Sequence, residues 1–521
     1  MNIVDTTIFM LGCAVLLVLL TRRFAFPDPS VLVLGGLVVA LVPGFPRLAI
    51  EPSSALSIFL PAVLFQEAGR LSWGELRRGA FSIGVVGPIL VIGSCAAVTG
   101  LAVLLFPGIP FAVAVVMGAV VAPADSMASR AVLARLKVPR RIIAVLVGEG
   151  LVNDAVAVVI YKVAVAAVLG SFATVAGVAS AFTLLTLGGA LFGAGVGWVA
   201  ARLLRASSDA MIYCAANLIL AFLTYVTAEA LGLSGALATV AAGLTANLNQ
   251  DRIPAEYRLN CAVMWQIVTF ALSALGFLLV GAQIPSVLAN LGYYSPTQLA
   301  GYGVAMCVTI LVVRMLILLL VTGAEAVTER SAAKRRLSWR ENVVIGWSGM
   351  RGLVTLAAAL GLPLTPQGAV FPYRDLTLFF AFATILSTLF LQGVTLSPIV
   401  RALKIKEETS DSRRRLAELE AAEAALLAVE RWAENQGAGG EALDFIRSEY
   451  LARIAHLSPP GAEPAAEDQR RGLGEMRKVA VGAERQKLLS LAKSQVIDED
   501  TLEGLLATLD VSEAAATVRW N

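Results

Sequence analysis

The chain has 521 residues, of which 57% are hydrophobic and 15% charged, and its formal net charge is only +3. Soluble domains carry about 25% charged residues, so this composition, with a mean hydropathy of +0.77, excludes an ordinary soluble protein. Apolar runs of about 20 residues, long enough to span a bilayer as helices, recur from the N-terminus to Arg401. A transmembrane β-barrel would show shorter segments of alternating hydrophobicity instead. The sequence therefore predicts an all-α polytopic membrane protein.

We predict about thirteen transmembrane helices, at residues 7–20, 30–45, 54–66, 80–105, 110–130, 141–168, 172–203, 210–230, 233–247, 260–285, 297–323, 341–362 and 375–403. Basic residues collect in alternate loops, beginning with Arg22 and Arg23 after the first span and including Arg130 after the fifth, whereas the opposite loops carry little beyond Arg47 and Arg374. Because loops rich in Lys and Arg stay in the cytoplasm, we expect the N-terminus outside and the C-terminus in the cytoplasm. An odd number of spans gives the same result. We expect a multi-pass protein of the cell (inner) membrane.

Cysteine and histidine usage argues against a metal site or a disulfide framework. The cysteines are widely spaced in apolar runs, as small buried hydrophobic residues often are. They are Cys13, Cys95, Cys214, Cys261 and Cys307. The single histidine, His456, lies beyond the last predicted span, and no glycine-rich nucleotide fingerprint follows that span. We therefore expect no cofactor and no nucleic-acid partner.

The fifth span is interrupted at VVAPADSMASRAVL, residues 120–133. Pro123 has no N–H group and clashes with the preceding turn, so we expect the helix to break near residues 119–125. Asp125 and Ser126 are good N-caps for the half that continues. A broken helix is tolerated at membrane depth where it packs within protein or lines a cavity. The freed carbonyls and the carboxylate predict an oxygen-rich site that suits a hard cation such as Na⁺.

The sixth span contains polar residues in GEGLVNDAVAVVIYK, residues 148–162. A charged side chain at the bilayer centre costs about 2.5–3.5 kcal/mol on insertion scales, so each one here is a candidate functional residue. Glu149 and Asn153 share a helix face, whereas Asp154 points about 100° away from Asn153. Asp154 can hold a proton or a metal cation but not easily both, which is the minimum needed to couple two ions. The alternative is that Asp154 merely pairs with a basic residue such as Lys162.

The eleventh and twelfth spans each contain a buried arginine. Arg314 lies in the eleventh span, and Glu149 is an obvious partner for it. IGWSGMRGLVTLA, residues 345–357, places three glycines and Arg351 in the middle of the twelfth. We expect the fixed charge of Arg351 to balance exposed half-helix ends and the acids. The interrupted fifth and twelfth spans are seven apart, which predicts inverted repeats with two interrupted crossing helices.

The composition changes abruptly after the last span. Residues 404–521 are charged, rich in alanine and helical in pattern, with an expected linker at LSPPGAEPAAEDQ, residues 457–469. We therefore expect a transmembrane domain at residues 1–403 and a helical cytoplasmic domain at 404–521, the latter serving regulation or assembly.

Four motifs together resemble the cation:proton antiporter family of bacterial sodium–proton antiporters and animal sodium–proton exchangers. GEGLVNDAVAVVIYK is similar to its GESLLNDA helix, and APADSMA to its unwound segment, usually written TDP or PPDAVA. WSGMRGLVTLA is similar to its GLRGAVSLA helix. LPAVLFQEAGRLSWGELRR, residues 60–78, is similar to its LLFEAG segment, with Glu67 at the glutamate. The resemblance covers about residues 5–403.

This resemblance implies a thirteen-helix fold with a six-helix core from spans 4–6 and 11–13, a dimer domain from the remaining spans, and elevator-like alternating access. It implies a homodimer that exchanges Na⁺, or Li⁺ or K⁺, for H⁺. The ion-binding and proton-coupling residues would be Asp154, Asp125 and Asn153, and the two aspartates would bind the transient cation. Supporting roles would fall to Glu149, Arg351, Arg314, Ser126 and Glu67. The Asn-Asp pair goes with electroneutral one-for-one exchange.

Three positions depart from the family pattern. Gly150 stands where the family has a serine, Ala124 where many members have threonine, and Ser126 where many have proline. Two hydroxyl ligands are lost, and Ser126 supplies one that could replace them. The pattern leaves the preferred cation open.

Two other function classes fit parts of the sequence. GWSG, residues 346–349, matches the Gly-x-Ser-Gly pattern of intramembrane serine proteases, but no predicted span contains a histidine to act as base. The Gly-x-Gly-Asp and Tyr-Asp contexts of aspartyl intramembrane proteases are absent. A cation channel, in which Asp154 would bind ions without proton coupling, is the other alternative. We expect a transporter and no enzyme.

Overall fold

A computed structural model describes residues 3–21, 28–42, 52–71, 82–134, 136, 138–171, 174–204, 209–247, 253–327, 338–363, 371–405, 410–436 and 441–457. Within these ranges the regular structure is helical, and no β-strand occurs. The chain divides into two compact units, Met1–Glu408 and Thr409–Asn521. The predicted domains at residues 1–403 and 404–521, and the regulatory role of the tail, stay predictions.

The helices of the first unit are α1 (Ile3–Thr21), α2 (Asp28–Ala40), α3 (Pro52–Arg70), α4 (Gly87–Leu105), α5 (Phe111–Val121), α6 (Ser126–Ala134), α7 (Arg140–Val168), α8 (Val175–Thr183), α9 (Gly189–Leu203), α10 (Ala210–Ala230), α11 (Gly235–Ala246), α12 (Ala255–Asn290), α13 (Pro296–Val327), α14 (Trp339–Trp347), α15 (Leu353–Leu360), α16 (Arg374–Ser387) and α17 (Gly393–Ala402). Three π-helical turns extend this helical path: Ser82–Val86 before α4, Leu184–Gly188 between α8 and α9, and Thr388–Gln392 between α16 and α17.

Seven helical segments of the described residues are long and apolar enough to cross a membrane: Gly84–Leu105, Arg141–Val168, Ala176–Leu203, Ala210–Ala230, Glu256–Asn290, Pro296–Val321 and Arg374–Ala402. Each of the thirteen predicted spans overlaps helix in the structure. The helical class is therefore confirmed, while the number of crossings stays a prediction. Arg22, Arg23 and Arg47, on which the orientation partly depends, lie outside the described residues.

Both expected helix interruptions are present. The fifth span breaks between Val121, where α5 ends, and Ser126, where α6 begins. The twelfth breaks between Trp347, where α14 ends, and Leu353, where α15 begins. The two breaks touch, because the backbone N–H of Asp125 donates to the carbonyl of Met350 at 2.7 Å. The interruptions predicted from proline and glycine therefore form one crossing.

The second unit contains α18 (Ser410–Gln436) and α19 (Glu441–Leu457). Nε of Arg447 on α19 lies 3.1 Å from Oε1 of Glu430 on α18, which joins the two helices. Residues 458–469 of the expected linker, and everything after them, lie outside the described residues.

The five cysteines are free thiols. Their spacing along the chain gave no sign that two of them would meet. The Sγ atoms of Cys214 on α10 and Cys261 on α12 lie 2.8 Å apart.

Glycines let neighbouring helices approach closely. Gly193 on α9 faces α11, and a Cβ atom there would overlap the backbone carbonyl of Ala238. Gly281 on α12 faces α2 in the same way, against the carbonyl of Val33. Association of helices in a membrane depends on such small residues, since lipid supplies no hydrophobic driving force between helices.

The contact between α9 and α11 gives a first prediction. In Gly193→Ala the new methyl group meets backbone, which cannot move unless the helices separate, so we expect a cost of about 1–3 kcal/mol. Gly195→Ala is a matched control on the same helix, because nothing lies within 4 Å of the corresponding Cβ position. Only Gly193→Ala should lower the melting temperature in detergent. Equal melting temperatures for the two variants would show that α9 and α11 do not pack at this distance.

Candidate functional site

The polar residues of α7 are buried beside the crossing. Glu149, Asn153 and Asp154 are 3%, 1% and 7% exposed, so all three are withdrawn from solvent. Nδ2 of Asn153 donates to Oε1 of Glu149 at 3.1 Å, which confirms that these two share a face. Oδ1 of Asp154 is buried and accepts no hydrogen bond from the described residues. The carboxylates of one helix therefore differ: Glu149 is bonded to protein, and Asp154 has an unused oxygen.

Glu149 pairs with Arg314 across helices α7 and α13. Nη2 of Arg314 lies 2.6 Å from Oε1 of Glu149, and both side chains are almost fully buried. Nε of Arg314 also donates to the carbonyl of Gly346, at 3.2 Å, near the end of α14. Gly349 makes room for this arginine, since a Cβ atom there would lie 2.5 Å from its Nε atom. The predicted ion pair is confirmed, and it packs against the second break.

Arg351 joins the carbonyl ends of both broken helices. Its Nε atom donates to the carbonyl of Val121, the last residue of α5, at 2.9 Å. Its Nη1 atom donates to the carbonyl of Gly349, just past the end of α14. The last carbonyls of a helix have no partner within the helix and carry a partial negative charge, so a guanidinium there is favourable. The structure thus places the arginine where the half-helix ends meet, as expected.

Asp125 lies in the crossing against the second broken helix. Its carboxylate occupies the space in front of Gly352, where a Cβ atom would overlap it. The next turn adds another link, since the hydroxyl of Ser129 donates to the carbonyl of Ser348. Sequence reasoning missed Ser129 and Ser348 as partners, although both lie in stretches that it had singled out.

Glu67 on α3 binds the start of α6. Its Oε2 atom accepts a hydrogen bond from the hydroxyl of Ser126 at 2.6 Å. Its Oε1 atom lies 3.0 Å from Nη2 of Arg130. Arg130 was counted in the sequence as one of the basic loop residues that orient the chain, so this ion pair was not foreseen.

The charges around Asp154 are unbalanced. The carboxylates of Asp125 and Glu67 and the guanidinium of Arg351 all act on it electrostatically. Lys162 does not neutralise it, because the Nζ atom of Lys162 pairs with Oε1 of Glu229. The alternative that Lys162 is the partner of Asp154 is therefore wrong.

Further buried polar atoms of this region lack hydrogen-bond partners among the described residues. They are Oδ1 of Asn153, Oγ of Ser348 and Oγ1 of Thr355. Buried polar groups are nearly always hydrogen-bonded, so several unsatisfied oxygens in neighbouring segments require an explanation. Oxygen atoms without a protein donor are suitable ligands for a hard cation.

Comparisons with known proteins identify the family to which the chain is similar. The profile of the family described as "Sodium/hydrogen exchanger, transmembrane" matches residues 10–402. An uncharacterized Na⁺/H⁺ exchanger of Mycobacterium tuberculosis is 31% identical over 509 residues, 95% of this chain and 92% of its own length. A sodium, potassium, lithium and rubidium/H⁺ antiporter of Bacillus pumilus is 28% identical over 489 residues, 91% of this chain and 72% of its own.

The fold comparison points the same way. The sodium proton antiporter MjNhaP1 from Methanocaldococcus jannaschii superposes with a TM-score of 0.58 at 17% identity, covering 77% of this chain and 98% of that one. An identity this low shows a shared fold and no more. The predicted resemblance is confirmed by the family profile, and the apolar helices are those of a multi-pass membrane protein. The chain belongs to the transmembrane sodium/hydrogen exchanger family, a family of transporters.

Proposed function

We propose that this chain exchanges Na⁺ for H⁺ across the cell membrane and that Asp154 carries both ions in turn. The observation that supports this most directly is the unused, buried Oδ1 atom of Asp154 beside the crossing of two broken helices. Relatives named as Na⁺/H⁺ exchangers and antiporters support the choice of ions. Asp125 and Asn153 are the additional ion-binding residues in this proposal.

The chemistry follows from the cost of a buried charge. An ionised carboxylate away from water is strongly unfavourable unless it is paired. Asp154 has no cationic side chain bonded to it among the described residues, so a proton or a metal cation must supply the compensation. Each occupant removes the charge that attracts the other. One site that is filled by either ion but not both couples their movements.

The wider mechanism is part of the proposal. The transporter works by alternating access as a homodimer, with its N-terminus outside and its cytoplasmic tail regulating it. Li⁺ and K⁺ are further candidate substrates, since the relative from Bacillus pumilus is named for sodium, potassium, lithium and rubidium. We propose no enzymatic activity, because Asp154 and Asp125 serve ion binding.

Replacing Asp154 by asparagine tests the proposed ion carrier. Asp154→Asn keeps the volume of the side chain but removes the titrating group, so Na⁺-driven proton movement in proteoliposomes should be lost. Asp209→Asn is a matched control, because Asp209 is an exposed helix cap and asparagine caps equally well. Exchange near the wild-type rate in folded Asp154→Asn would contradict the proposal. Sodium flux without proton flux in the wild type would favour a channel.

We propose that Glu149 is structural. In Glu149→Gln the buried Arg314 loses its carboxylate, and an uncompensated buried charge costs about 3–5 kcal/mol. We therefore expect a lower melting temperature in detergent, partly restored when Arg314→Gln is added. Glu256→Gln, at an exposed position of α12, is the control and should melt like the wild type. If Glu149→Gln melts like this control, the pair does not support the fold.

Exchange should be electroneutral. Asp154 is the single carboxylate that titrates in the proposed cycle, while Arg351 keeps its charge between two carbonyls. Each turnover then moves one positive charge in each direction. A membrane potential imposed on proteoliposomes with valinomycin should leave the steady-state rate unchanged, although each net charge would feel about 2.3 kcal/mol per 100 mV. Because K⁺ is itself a candidate substrate, the test requires that a K⁺ gradient without valinomycin drives no proton movement. A rate that depends on the sign of the potential would show that a second group titrates.

A further inference from the structure

Ser126, Glu67 and Arg130 form a closed network next to the ion site. The Ser126 hydroxyl lies 2.6 Å from one carboxylate oxygen of Glu67, and the Arg130 guanidinium lies 3.0 Å from the other. Glu67 is 3% exposed and Ser126 is 7% exposed, so water does not take the place of these bonds. Hydrogen bonds to a charged group are about twice as strong as neutral ones. Both oxygens of Glu67 are therefore engaged, and its charge is compensated within the protein.

Gly150 is the residue that admits Ser126 to this position. A Cβ atom at residue 150 would lie 2.9 Å from Cβ and 3.0 Å from Oγ of Ser126. The first of these atoms is fixed to the backbone of α6, so any side chain at residue 150 would force the start of that helix to shift. The bond between Ser126 and Glu67 consequently depends on a glycine on α7, four residues before Asp154.

Two roles are open to the Ser126 hydroxyl. A hydroxyl has one donor and two acceptor lone pairs, so Ser126 could donate to Glu67 and still offer an oxygen to a cation. Alternatively, its main effect is on Glu67, whose charge already acts on Asp154. The two roles predict opposite changes when the hydroxyl is removed. If the hydroxyl is a cation ligand, its loss would weaken cation binding. If it restrains Glu67, its loss would strengthen cation binding.

We propose that Ser126, admitted by Gly150, holds Glu67 away from the transported cation and thereby sets the cation affinity of the Asp154 site. Ser126 is a positioning residue that acts through Glu67. The 2.6 Å bond and the ion pair on the other oxygen support this role, because together they tie both carboxylate oxygens of Glu67 to residues of α6. The inference rests on the proposed Na⁺/H⁺ exchange and adds to it a determinant of cation affinity.

The test is a double-mutant comparison of the full-length protein in proteoliposomes at alkaline pH, where carboxylates are ionised. Ser126→Ala should lower the half-saturating Na⁺ concentration several-fold, because Glu67 is then held by Arg130 through one oxygen alone and its other oxygen can turn toward the cation. In a Glu67→Gln background, Ser126→Ala should have no further effect. Ser126→Thr keeps the hydroxyl and should retain the wild-type value. Ser286→Ala removes a serine hydroxyl that bonds only within its own helix, and serves as the control.

Gly150→Ala provides a second route to the same result, should Ser126→Ala fail to fold. It displaces Ser126 while keeping the hydroxyl, and should also lower the half-saturating Na⁺ concentration. A value that rises or stays unchanged in folded Ser126→Ala would overturn the proposal, as would a full Ser126→Ala effect without the Glu67 carboxylate. Sodium-dependent thermal stabilisation of the same variants in detergent reads cation affinity without exchange. Loss of proton coupling in the wild type, with the affinity pattern intact, would therefore contradict the proposed exchange alone.

Discussion

The structure depends on how the unpaired backbone groups are satisfied where two broken helices cross. Breaking α5 from α6 and α14 from α15 leaves backbone carbonyls without helical partners deep in an apolar protein. Arg351 satisfies one carbonyl from each break, and Asp125 donates its backbone N–H across them. Without the guanidinium of Arg351, which is 1% exposed, the half-helix ends would carry uncompensated partial charges among buried residues. The other residues of the site are arranged around Arg351 and the crossing.

The acids near the crossing differ in how completely the protein satisfies them. Glu149 is bonded to Arg314 and Asn153, and Glu67 is bonded to Ser126 and to an arginine. Asp154 retains a buried oxygen with no donor among the described residues. A fully satisfied carboxylate has little reason to exchange protons at each turn of a cycle, whereas an unsatisfied one needs an occupant. This difference supports assigning transport to Asp154 and positioning to the others.

Much of this site followed from local sequence rules, and the remainder did not. Proline without an N–H and glycines in a span act locally, so they predicted both breaks and Arg351 at the second one. The pairing of Glu149 with Arg314 is between distant segments and was predicted from their opposite charges in apolar spans. Other partners from distant segments gave no such sign. Arg130 was interpreted as one of the basic loop residues, but it is the partner of Glu67. Lys162 pairs with Glu229 instead of Asp154. The number of crossings also stays open, because several helices are too short to count by length alone.

In the proposed mechanism Na⁺ and H⁺ compete for one carboxylate. The most direct measurement is proton release when Na⁺ is added to purified protein in weakly buffered detergent, followed with a pH indicator. At a pH where Asp154 is protonated, we expect each bound Na⁺ to release a proton, with a saturating dependence on Na⁺ that Asp154→Asn abolishes. Sodium binding that leaves the pH unchanged would contradict it, because the two ions would then occupy separate sites.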